Sequence, residues 1–168
     1  IEGLSLFLLV AISEEIASRG ILYRLLADRW NPSISLIVSS LLFGFMHLFN
    51  TGGTAWASLA IALTAGWLLG ISYAYHRTIW VPIGMHWAWN YLECCVFGFP
   101  VSGNPITFIP IFTPIVSGPD ILTGGAFGLE ASIITVIITI IIAAAYTALY
   151  FKKMKIKSIS ENEITLMF

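Results

Sequence analysis

Long apolar stretches alternate with short polar connections along this chain. Five stretches stand out, at about Leu4 to Leu26, Ser33 to Phe49, Ala55 to Tyr75, Ile79 to Phe99 and Leu129 to Phe151. Each is near the ~17 to 25 residues that cross a bilayer as helix. The pattern predicts an all-α fold, a polytopic bundle of about five transmembrane helices. Asn31 and Pro32 open the second span, and Pro82 sits near the start of the fourth, where a missing backbone N–H costs least. The connection from Pro100 to Gly128 holds five of the seven prolines and five glycines, so it should be irregular rather than a further span. Residues 1–151 are expected to form one membrane core, with 152–168 as a basic, then polar, tail.

Composition narrows the class. The chain is 58% hydrophobic and 10% charged, against about 25% charged residues in ordinary soluble domains. Its mean hydropathy is +0.89. A net charge of -1 names neither an acidic nor a basic partner, and nucleic acid is not expected. Arg24, Arg29, Arg77, Lys152, Lys153, Lys155 and Lys157 all fall on the side reached after spans one, three and five, while 50–54 and 100–128 contain no Lys or Arg. The positive-inside rule puts that basic side, and the C-terminal tail of a multi-pass protein, in the cytoplasm. The chain opens on Ile1 and almost at once on a span, with Glu2 where a secretory leader would carry a basic residue. It reads as the C-terminal part of something longer, without a signal peptide. Cys94 and Cys95 point about 100° apart on a helix and are expected to be packing residues.

Three polar sets interrupt the apolar stretches: Glu14, Glu15 and Arg19 in the first, Phe43 and His47 in the second, His86 and Asn90 in the fourth. An ionisable residue in a bilayer core costs roughly 2.5 to 3.5 kcal/mol even on the lenient insertion scale, so a cluster needs a reason, and the usual reason is a site. At ~1.5 Å per residue, Glu14 lies ~20 Å from the cytoplasmic end of its span, His47 ~21 Å into the second, and His86 and Asn90 ~10 to 16 Å into the fourth. They could converge at mid-membrane. Residues four apart share a helix face, so Phe43 aligns with His47 and His86 with Asn90. Glu15 and Arg19 are also four apart, with the acid N-terminal, the better order for an ion pair. Glu14 is then the carboxylate without a charge partner on its own helix, which makes it the candidate base. Glu93 shares the face of His86 and Asn90 but lies nearer the outer boundary, and is a weaker candidate for lining the site.

The order E-E-x-x-x-R, F-x-x-x-H, H-x-x-x-N on separate helices resembles the CPBP family, the CAAX prenyl endopeptidases and bacteriocin-processing enzymes also called the Abi family. Gly124-Gly125-Ala126-Phe127-Gly128-Leu129-Glu130 is similar to the glycine-rich lead-in to the last span of many prokaryotic members. The resemblance implies an intramembrane protease in which Glu14 and His47 activate water, His86 and Asn90 donate to the oxyanion, and Glu15, Arg19 and Phe43 support them. It also implies further helices ahead of the E-E motif, hence part of the cavity wall outside this chain.

Peptide hydrolysis fits these residue types, since it needs a base to polarise water and fixed donors about 3 Å from the developing oxyanion. Glu14, His47 and His86 also form a two-His, one-carboxylate set that zinc could use, although the helical H-E-x-x-H arrangement is missing. The metal-free mechanism is the one expected, with zinc as the alternative. Expected partners are bilayer lipid and a peptide or lipidated protein, such as a prenylated C-a-a-X tail or a bacteriocin leader. The competing class is a non-catalytic bacteriocin self-immunity or membrane binding protein.

Overall fold

A computed structural model describes residues 2–105 and 108–165, with side chains described as far as residue 160. Its elements are helical, and among the described residues there is no β-strand. α1 (Glu2–Glu15) continues through a π-helical stretch, Ile16–Tyr23, into α2 (Arg24–Arg29). α3 (Pro32–Met46) ends in a 3-10 turn, His47–Phe49. α4 (Ala55–Ile61) and α5 (Trp67–His76) are one rod joined by a π-helical Ala62–Gly66. α6 (Trp80–Tyr91) runs into a π-helical Leu92–Val96, α7 (Asp120–Thr123) is a single turn within the long connection, and α8 (Ile133–Thr165) closes the bundle.

The five apolar stretches therefore become five long helical rods. Pro32–Phe49, Ala55–His76 and Ile133–Ser160 are long and apolar enough to cross a membrane. The other two are the rod interrupted by Glu14, Glu15 and Arg19 and the shorter one bearing His86 and Asn90. A helix that carries a polar site is less apolar for that reason. The surface agrees with a lipid environment: Ile134, Ile137, Ile138 and Ile141 of α8 are all exposed, a contiguous apolar face that water would not favour.

Local signals set the helix ends. The Asn31 side chain accepts from the N–H of Ile34 while Pro32 occupies the first turn, and Thr54 caps α4 by accepting from Ala57. Arg77 closes α5 in the left-handed conformation. Two boundaries differ from expectation. The last helix starts at Ile133 rather than Leu129, because Gly128 (φ 114) and an extended Ser132 break the chain around the 3-10 turn Leu129–Ala131. It then continues past Phe151, the end of the apolar stretch, through Thr165.

α1 packs on α6, α3 on α4 and on Ala62–Gly66, and α5 sits against α3, α6 and α8. Small residues permit the closest approach: a Cβ on Gly44 would overlap the Ser58 carbonyl and Ala62, and the Ser58 hydroxyl donates to the Gly44 carbonyl at 2.8 Å. Trp67 Nε1 donates to Thr147 Oγ1 at 3.1 Å and ties α5 to α8. Cys94 is buried, Cys95 partly so, and neither is in a disulfide.

Candidate active site

α1, α3 and α6 bring the three polar sets together. Glu14 Oε2 lies 3.9 Å from His86 Nε2 and 4.0 Å from His47 Nε2. These separations are too long for direct hydrogen bonds, and of the length at which one water can bridge both pairs. The Glu14 side chain is 36% exposed, whereas its neighbour Glu15 is 0% exposed.

Glu15 is held on two sides. Its Oε1 accepts from Arg19 Nη1 at 2.8 Å, the pair expected from the spacing, and lies 3.0 Å from His86 Nδ1. Arg19 is fully buried, and its Nη2 donates to the carbonyls of Gly66 (2.9 Å) and Ala65 (3.3 Å). Those carbonyls belong to the π-helical stretch, whose altered hydrogen bonding leaves acceptors facing out of the helix. The Phe43 ring covers the guanidinium, 4.5 Å from Cζ to centroid, and packs against the rings of His47 (4.8 Å) and His86 (6.1 Å). Phe43 thus joins the two imidazoles to the buried ion pair.

Hydrogen bonds fix both imidazoles. His47 Nδ1 is 2.8 Å from the Phe43 carbonyl one turn back. A carbonyl only accepts, so Nδ1 carries the proton and Nε2 of the neutral ring presents a lone pair towards Glu14. The Glu15 carboxylate does the same at His86 Nδ1, a carboxylate and imidazole arrangement that fixes ring orientation. His86 Nε2 is then an acceptor in the neutral ring and a donor in the imidazolium. Asn90, one turn on and buried, completes the face.

Three cavities touch these residues, and two of them share His47, His86, Asn90 and Ser102. One, about 350 Å³, is lined by Glu14, His47, Asn50, His86, Asn90 and Ser102. The other, about 230 Å³, shares His47, His86, Asn90 and Ser102 but runs between apolar walls that include Ile61, Leu68 and Trp89, and reaches Glu130.

All seven residues singled out in the sequence meet here: Glu14, His47, His86 and Asn90 around the space, Glu15, Arg19 and Phe43 behind it. Glu93 does not line either cavity; it is buried and its Oε1 accepts from the Leu129 N–H at 2.8 Å. It lies in the π-helical Leu92–Val96 on the same buried side of the rod as His86 and Asn90, with its carboxyl bonded to the 3-10 turn Leu129–Ala131. His76 is exposed at the far end of α5, with Tyr146 Oη 3.5 Å away. Sequence reasoning missed Asn50, Ser102 and Glu130 as lining residues. Asn50 sits three positions after His47 and Glu130 beside an apolar run, signals that could have raised both; Ser102 lies in an irregular loop with no local signal.

The Rce1-like family model, described as type II CAAX prenyl endopeptidase Rce1-like, matches residues 1–92, a span that contains all seven residues. No curated protein and no solved structure matches the chain.

Proposed function

The chain belongs to the Rce1-like family of type II CAAX prenyl endopeptidases, and from that premise we propose that it is an intramembrane endopeptidase using a water activated by Glu14. The observation that carries this is the position of Glu14 Oε2, 3.9 and 4.0 Å from two imidazole Nε2 atoms beside a cavity of about 350 Å³. Glu14 takes the proton of the water, with the His47 Nε2 lone pair orienting it, as the oxygen attacks the peptide carbonyl. The oxyanion is met by the Asn90 amide and by His86 Nε2 in its imidazolium form. Collapse breaks the C–N bond, and Glu14 returns its proton to the leaving amine.

This reading is metal-free, because Glu14 beside two imidazoles can take a proton from water directly; were zinc bound, Glu14, His47 and His86 would hold it and it would lower the pKa of its water.

The substrate is a membrane-associated peptide, with the apolar cavity beside the quartet taking a hydrophobic part of it, whether the lipid of a prenylated C-a-a-X tail or the side chains of a leader-like peptide. The basic ends of the helices face the cytoplasm, and substrate enters from there. Cleavage of a tagged peptide library by detergent-solubilised protein, parent against Glu14→Gln, is the test. A specific product lost in Glu14→Gln is expected. If Glu14→Ala and His47→Ala instead protect cells from a bacteriocin as well as the parent, with no product from any of them, a binding or immunity role replaces the enzyme.

A further inference from the structure

Glu130 is a buried acid outside the three motifs and outside the span matched by the family model. Its Oε2 accepts from the Ser102 N–H at 2.6 Å and from the Ser102 hydroxyl at 2.8 Å. Ser102 has φ 48, a left-handed conformation that a residue with a side chain keeps only where its surroundings fix it. Its carbonyl accepts from Asn50 Nδ2 at 2.9 Å, and the Asn50 N–H donates to the carbonyl of His47 at 3.2 Å. A chain of hydrogen bonds therefore runs from the Glu130 carboxyl through Ser102 and Asn50 to the end of the helix that carries His47.

The same turn is pinned from other directions. Gly103 donates its N–H to the Phe127 carbonyl at 2.7 Å, and a side chain on Gly103 would overlap the Thr51 carbonyl. Glu93, three residues past Asn90, accepts from the Leu129 N–H, so the turn bearing Glu130 is tied to the rod bearing His86 and Asn90. Ser102 lines both cavities, with Glu14 in one and Glu130 in the other. What Glu130 holds is the wall between them.

We propose that Glu130 is a positioning residue for substrate: through Ser102 it fixes the 101–104 turn as the wall that aligns a peptide across Glu14, His47, His86 and Asn90. The inference rests on the endopeptidase reading. The imidazoles are oriented by the Phe43 carbonyl and Glu15, and the network touches His47 only through its backbone carbonyl, so loss of Glu130 acts first on substrate alignment. An amide in place of the carboxyl keeps an oxygen able to accept from both Ser102 donors.

The test uses the full chain in lipid nanodiscs, as parent, Glu130→Ala, Glu130→Gln and Ser102→Ala. Three quantities are read: amide hydrogen exchange of the 101–104 turn, and KM and kcat on a peptide the parent cleaves. Glu130→Ala should speed exchange of the turn and raise KM about tenfold with kcat within about threefold, while Glu130→Gln stays within about threefold of the parent in both. Ser102→Ala, which keeps the N–H bond, should fall between them. An unchanged KM in Glu130→Ala overturns the proposal, as does a fall in kcat alone, the mark of a general loss of structure. Equal damage from Gln and Ala also overturns it, since charge rather than hydrogen bonding would then be the requirement. Should Glu130→Ala not fold, Ser102→Ala and Asn50→Ala decide, each having to raise KM. If the parent cleaves no peptide, the endopeptidase reading fails, and unaltered exchange in Glu130→Ala or Ser102→Ala still refutes the role of Glu130 in holding the turn.

Discussion

Glu14 and Glu15 are adjacent and chemically alike, yet they occupy opposite environments. Glu15 is fully buried and bonded to Arg19 and His86; Glu14 is 36% exposed and within about 4 Å of two imidazoles without touching either. A rotation of about 100° along the helix separates the two fates. One carboxylate has its charge compensated, so it can hold a ring and a guanidinium in place. The other keeps an unbonded acceptor oxygen beside two imidazoles at the edge of a cavity, which is what a base needs. The division of labour comes from environment rather than residue type.

Glu14→Gln tests the contrast between the two acids most directly. It should lower kcat by about 10²- to 10⁴-fold with little change in melting temperature in detergent, because Glu14 meets the two imidazoles only at 3.9 and 4.0 Å while Glu15 makes the short bonds to Arg19 and His86. A loss of stability without a loss of rate would reverse the assignment of the two acids. Glu15→Ala should do the opposite in kind, costing about 3 to 5 kcal/mol in unfolding measurements, since it leaves the buried Arg19 charge uncompensated. A double-mutant cycle sharpens this further: Glu15→Gln with Arg19→Met should be milder than the sum of the single changes, and simple additivity would mean that the pair is not coupled.

Asn90→Ala comes next, at about 10²- to 10³-fold in kcat with KM little changed, as for loss of one oxyanion donor. If KM alone rises, Asn90 binds substrate rather than the oxyanion. Metal analysis of active protein bears on the same quartet: activity should survive chelation, and stoichiometric zinc whose removal abolishes cleavage would recast Glu14, His47 and His86 as ligands. The smallest expected effect is Asn31→Ala, about 1 kcal/mol of stability from the lost cap with kcat untouched. It serves as the control for changes remote from both acids.

Much of the site was legible because helical spacing is a local property. The Glu15 and Arg19 pair, the shared face of Phe43 and His47, and that of His86 and Asn90 all follow from residues four apart. Glu93 shows the limit. It is buried on the same side of the rod as Asn90, in keeping with the spacing, but its carboxyl accepts from the Leu129 N–H, a partner 36 residues away that spacing cannot reveal. The bond from Glu15 to His86 was equally hidden, since it joins residues 71 apart in the chain. So were the Ala65 and Gly66 carbonyls that receive Arg19.

The helical architecture, the apolar character of the rods and the small set of polar residues too costly to leave in lipid without a purpose are all legible in the order of residues, because periodicity and hydrophobicity act over a few neighbours. Which acid meets which imidazole, the stacking of Phe43 on the ion pair and the loop serine that joins Glu130 to Asn50 come from how the rods and the long connection pack. Those contacts depend on crossing angles, on π-helical turns and on a left-handed residue in an irregular connection, and none of these has a fixed spacing along the chain.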